Sequence, residues 1–142
     1  MALVQYIYLT TNRLNMTVEK GVLVSAKSVE ICERLGMTGR VFSTHFRALS
    51  IIEGPRDVMS QYFEAVDTQP QIATVSLQSV RDIEAREFDD YSVWLDLDKD
   101  FGSHSKVYPM TPDSLEQAMP DAPSARLRVI MSAFFEKGRL VA

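Results

Sequence analysis

The sequence predicts an α+β fold in which one sheet is built in the order β-α-β-β-α-β-β and two further helices follow. Three observations carry this. Residues 3–9 and 91–97 are short runs of β-branched and aromatic residues, long enough for strands and too short for typical helices. Residues 17–36 place Val22, Leu23, Ala26, Val29, Ile31 and Leu35 roughly at helical spacing. Two glycine turns, Leu35-Gly36-Met37-Thr38-Gly39 and Ile52-Glu53-Gly54-Pro55-Arg56, bracket a pair of β-rich runs, so a hairpin lies between two helices.

The elements follow in order. Residues 3–9 read as a buried first strand, and the polar residues 10–15 as a loop. Thr17 and Lys20 make an imperfect capping box, because the fourth position lacks Glu or Gln. The helix that starts there stops at Gly36. Residues 40–46 and 47–53 form the hairpin, bent at Ser43-Thr44-His45. Gly54-Pro55 opens the second helix, with proline where its missing N–H is harmless. Val58, Met59, Tyr62, Phe63 and Val66 form its apolar face. Residues 72–80 read as a fourth strand and residues 91–97 as a fifth, at the sheet edge. Both helices then pack on one face of the sheet, as in ferredoxin-like domains. Residues 99–109 are a polar loop. Thr111 caps a helix with Pro112 in its first turn. Residues 124–138 make a last helix with Leu127, Ile130, Met131, Phe134 and Phe135 on one side. These two helices are expected to cover the open face. Residues 1–97 thus form the α+β unit, and residues 98–142 a helical extension packed on it.

The bulk properties narrow the function. The chain has 142 residues, enough for one domain with a real core. With a formal net charge of −4 and scattered Lys and Arg, it has no pull toward nucleic acid or an acidic membrane. Its single cysteine, Cys32, and two histidines, His45 and His104, give no zinc-like spacing. His45 and His104 read as solvated turn and loop residues. Residues 96–100 resemble a calcium loop only faintly, and Glu84, Glu87, Asp89 and Asp90 read as a hydrophilic loop. Arg40 opens a strand and fits an exposed edge or an interface. No signal peptide, membrane span or catalytic motif stands out, so the chain is expected to be a cytoplasmic protein and no enzyme.

The order of motifs resembles the BLUF family, sensors of blue light using FAD. The resemblance covers residues 3–95. It rests on Tyr6-Ile7-Tyr8, on Ser28 and Leu35-Gly36-Met37-Thr38-Gly39, on Ile52-Glu53-Gly54-Pro55-Arg56, and on Ile83, Arg86, Phe88 and Tyr91. It implies a flavin lying between the first two helices, with a strand tyrosine, a glutamine and an asparagine joined by hydrogen bonds. The family positions of the flavin pocket fall on Tyr8, Ser28, Cys32, Ser50, Gln69 and Gln71. Tyr8 is the family tyrosine. Ser50 stands at the glutamine position and Cys32 at the asparagine position. The family's Asp, Arg and His before the fourth strand are replaced by Gln69, Gln71 and Ile72, and its late Trp and Met by Tyr91 and Val93.

An amide carries donors and an acceptor in one planar group, which neither serine nor cysteine can reproduce. The expectation is therefore a sensory or regulatory domain without the family's photochemistry and without a bound cofactor, FAD being the cofactor if the pocket is retained. It would act as a homo-oligomer or on a protein partner. Two other readings stay open. One is a flavin photoreceptor with unconventional chemistry around Tyr8, and the other is a receptor for a different small ligand in the vacated space.

Overall fold

The computed structural model describes residues 2–12, 17–44, 46–66, 68–70, 72–96 and 106–141, with side chains through residue 136. The chain runs β1 (Leu3–Asn12), α1 (Val18–Arg34), β2 (Thr38–Ser43), β3 (Arg47–Pro55), α2 (Arg56–Val66), β4 (Ile72–Ile83), β5 (Tyr91–Leu95), β6 (Val107–Pro109), α3 (Ser114–Ala118) and α4 (Ala125–Val141). One six-stranded mixed sheet has the order β4-β1-β3-β2-β5-β6. β1 pairs antiparallel with β3 and β4, and β2 antiparallel with β3. The pairs β2·β5 and β5·β6 are parallel.

Alternation along the strands divides the core into two layers. Tyr8, Ile52, Val93 and Leu95 face α1 and α2, and pack with Val22, Val29, Cys32 and Met59. Ile7, Leu49, Ile51, Phe42 and Trp94 face the other way and are covered by Leu127, Met131 and Phe134 of α4. The C-terminal helices therefore close the second face, as the sequence implies.

Several boundaries differ from the sequence reading, each for a physical reason. β5 is buried along its whole length and lies inside the sheet, not at its edge, because β6 adds a parallel strand outside it. That strand is formed by the end of the stretch read as a loop. Val93 N–H donates to Lys106 C=O (3.0 Å), and Lys106, at φ +60°, ties β6 to α1 through Glu33 (2.6 Å). Pro55 ends β3 and does not enter the second helix. Thr111 is not the cap of α3. That position belongs to Asp113, which makes no side-chain capping bond, while Ser114 Oγ accepts from Thr111 N–H (2.6 Å). Thr17 does cap α1, accepting from Lys20 N–H (3.2 Å). The buried stripe of α1 is Gly21, Val22, Ser25, Val29 and Cys32, which turns Leu23, Ile31 and Leu35 outward. His45, His104 and residues 97–100 lie outside the described residues.

Arg40 and two residues of the acidic loop, Glu87 and Asp90, are structural, while Glu84 and Asp89 are exposed as the sequence reading has them. Arg40 is central: its Nη1 donates to Gly39 C=O and to both the carbonyl and Oδ1 of Asp90, all at 2.9 Å. Its Nε reaches Ala118 C=O at the end of α3 (3.0 Å), and the guanidinium lies 4.8 Å from the Phe88 ring centroid. Glu87 pairs with Arg81 (2.8 Å).

Glu53 holds the same region together. It is fully buried and accepts from Gln5 Nε2 (3.2 Å), Thr38 Oγ1 (2.9 Å), Glu87 N–H (3.1 Å) and Phe88 N–H (2.8 Å). A buried carboxylate is tolerated only when its lone pairs are met in this way. Gly39 is equally constrained. It sits at φ +151°, and a Cβ there would lie 2.0 Å from the Ile51 carbonyl oxygen.

Two outcomes follow for stability. Glu53→Gln places an amide NH2 against the backbone donors of Glu87 and Phe88, and is expected to cost about 2–4 kcal/mol in urea unfolding. Gly39→Ala is expected to cost about 3 kcal/mol or more by the same measurement, because the obstacle is backbone and cannot rotate away.

Candidate functional site

The site is a cleft of about 500 Å3 between α1, α2 and the sheet. Its floor comes from alternate residues of four strands: Tyr8 and Thr10, Val41 and Ser43, Ala48 and Ser50, Tyr91 and Val93. The side-chain period of two puts them on one face. Gly21, Ser25 and Ser28, spaced four and three apart on α1, are small residues on the facing stripe and leave the space open. Tyr62 of α2 closes the far wall, and Val24 and Ile31 stand at the mouth. The walls are mostly apolar, and among the described residues Lys27 is the sole charged lining residue.

At the deep end three phenols surround the cysteine. Tyr91 Oη and Ser28 Oγ are 3.2 Å apart, and Ser28 Oγ lies 4.0 Å from Cys32 Sγ. Tyr8 sits directly across the β1·β3 ladder from Ser50, within hydrogen-bonding reach of its hydroxyl. Tyr8 also packs edge-on against Phe63, with ring centroids 5.1 Å apart. Burial drives the Tyr8 phenol well above the ordinary tyrosine range, and the Ser50 hydrogen bond offsets only part of that. Burial does the same to Tyr62 and Tyr91, each raised further by neighbouring titratable groups in the cluster. The Cys32 thiol is also raised by burial, against the lowering effect of hydrogen bonds from Tyr62, Tyr91 and Ser28. The deep end of the cleft is therefore a neutral set of hydroxyls and one thiol at physiological pH.

The sequence-predicted positions are partly gathered here. Tyr8, Ser28, Ser50 and Gln69 line the cleft, and Cys32 lies just behind Ser28. Gln69, just beyond the end of α2, turns its amide back to Ala65 C=O in the last turn of that helix (3.4 Å). Gln71 lies outside the described residues. Tyr62, and Gly21 and Ser25 of the α1 stripe, are the components that sequence reasoning missed. Their signal was present in the spacing: Tyr62 falls three after Met59 and four before Val66, on the buried face of α2.

A family model, BLUF (sensors of blue light using FAD), matches residues 3–94. The chain belongs to the BLUF family. No curated protein matches it by sequence. Among solved structures, BlrB, a BLUF protein in its dark state, is 26% identical over 68% of this chain and 73% of that one, with a TM-score of 0.60. The BLUF domain of BlrP1 is 12% identical and superposes over 94% of this chain and 90% of its own, with a TM-score of 0.69. Klebsiella pneumoniae BlrP1 in a manganese and cyclic-diGMP complex is 16% identical. There the match covers 96% of this chain but 33% of that one, at a TM-score of 0.67. The last two likenesses show the fold alone, and they extend it beyond the family model to the C-terminal helices.

In this BLUF domain the cleft between α1 and α2 is present as a cavity, and the side-chain hydroxyls of Tyr8, Ser28, Ser50, Tyr62 and Tyr91 line it. The raised phenols and thiol set a pH dependence. Above the ordinary pKa of the free side chains, the native state keeps protons that the unfolded chain has released, so stability is full below about pH 9 and falls as pH rises. An alkaline titration followed by phenolate absorbance is expected to leave Tyr8, Tyr62 and Tyr91 un-ionised until the fold is lost. Ionisation of all tyrosines before loss of circular dichroism would contradict the site as described.

Proposed function

We propose that this chain is a BLUF sensory or regulatory domain that does not run the flavin photoswitch and acts through protein contacts, without catalytic activity of its own. The observation that carries the reading is Ser50 opposite Tyr8. A flavin ring edge alternates carbonyl acceptors with an N–H donor, and a switch at that edge needs a group that can exchange donor for acceptor. An amide does so by turning over. A serine hydroxyl is too short to bridge the Tyr8 phenol and a ring in the cleft. At the asparagine position Cys32 offers a weak donor beside Ser28, and the Ser28 hydroxyl is already in contact with Tyr91. The donor set does not fit the edge of a flavin.

Contact through the surface is supported by apolar residues that the fold leaves uncovered. Leu23 on α1 and Val129 on α4 are 72% and 67% exposed. Either a second copy or another protein would bury them, and a cytoplasmic setting accords with this role. No helix among the described residues is long and apolar enough to cross a membrane.

The test is a light-minus-dark absorption spectrum of the protein purified with added FAD. The expected result is no reversible red shift of the flavin band under blue light. A reversible red shift would overturn the reading and make Tyr8 the centre of an unconventional switch. Light scattering in solution is expected to show self-association, or capture of a defined partner, that illumination leaves unchanged.

A further inference from the structure

We infer that the cleft between α1 and α2 is a binding site for a small, uncharged aromatic compound in place of a flavin, an inference that rests on the reading above. Four observations point to it. The cleft persists at about 500 Å3 although the amide side chains of the family pattern are absent, and sites for small molecules span roughly 300–1,000 Å3. Its deep end is rich in aromatic faces, with Tyr8, Tyr62 and Tyr91 held neutral by burial, so a ring can pack there without meeting a charge. Of the hydroxyls that could orient a polar ligand, Tyr91 already has Ser28 as a partner at 3.2 Å, and Tyr8 faces Ser50 across the β1·β3 ladder. Finally, Val24 and Ile31 at the mouth are 38% and 37% exposed, although they border an apolar cleft. A ligand seated below them would cover that surface.

The electrostatics set the class. No carboxylate lines the cleft among the described residues, so nothing there recruits a cation. Lys27 is exposed at the rim and does not reach into the deep end as a counter-ion would. Selection rests on shape and apolar contact, with few directed hydrogen bonds. This favours bicyclic or tricyclic aromatics without phosphate or a hydrogen-bonding edge.

The experiment is a fluorescence titration of the whole chain with N-phenyl-1-naphthylamine, a neutral aromatic probe, in parallel with an FAD titration. Saturable binding of one probe per chain is expected, and FAD should not displace it. Ala65→Trp on α2 fills the cleft from an exposed helix position, and Ile31→Glu places a charge at its mouth. Each is expected to weaken probe binding at least tenfold while circular dichroism is unchanged. Absence of saturable binding, or binding that neither variant weakens, would overturn the inference. Displacement by FAD would overturn it as well, by showing a retained flavin site. The two readings fail separately. Loss of probe binding with no light response removes only the ligand, whereas a flavin red shift removes the proposed function itself.

Discussion

A single buried carboxylate organises this domain. Glu53 accepts from a strand side chain, a second strand side chain and two consecutive backbone amides of the loop after β4. Without those donors the charge would be untenable in the core. With them, it fixes where β1, β2 and the 84–90 loop meet. Arg86 adds to the same junction through Thr38 Oγ1 (3.0 Å), and Arg81 through Gln5 Oε1 (3.2 Å). Phe88 is then seated on the core and Asp90 is delivered to Arg40, whose guanidinium continues to the end of α3. A chain of directed bonds thus runs from the sheet to the helices on its second face, on the side of the sheet opposite the cleft.

That division explains how scaffold and site can part company. The polar network belongs to one face and the cleft to the other, separated by the thickness of a β-sheet. Substitutions at Ser50 or Cys32 change the cleft without touching Glu53, Arg40 or their donors. Family membership and the change of pocket chemistry proposed here are therefore compatible within one domain.

Much of the fold was legible because its signals are local. Gly36 and Gly39 mark tight geometry that other residues resist, Thr17 supplies a cap, and the stripe from Val58 to Val66 has helical period. What escaped was long-range. β6 is three residues long and owes its existence to parallel pairing with β5, which no local pattern announces. The structural role of the part-buried Arg40 depends on Asp90 and Ala118, fifty and seventy-eight residues away. In the site, Tyr8 and Ser50 could be placed by motif. Tyr62 read as generic core, because a phenol on an apolar stripe looks the same whether it fills space or borders it.

The central claim is the proposal that this domain does not run a flavin photoswitch. Amide 1H–15N spectra of the protein with FAD, recorded in darkness and under blue illumination, test it most directly. The account predicts superimposable resonances for β5, α3 and α4 in both conditions. Reversible, light-dependent displacement of those resonances would contradict it.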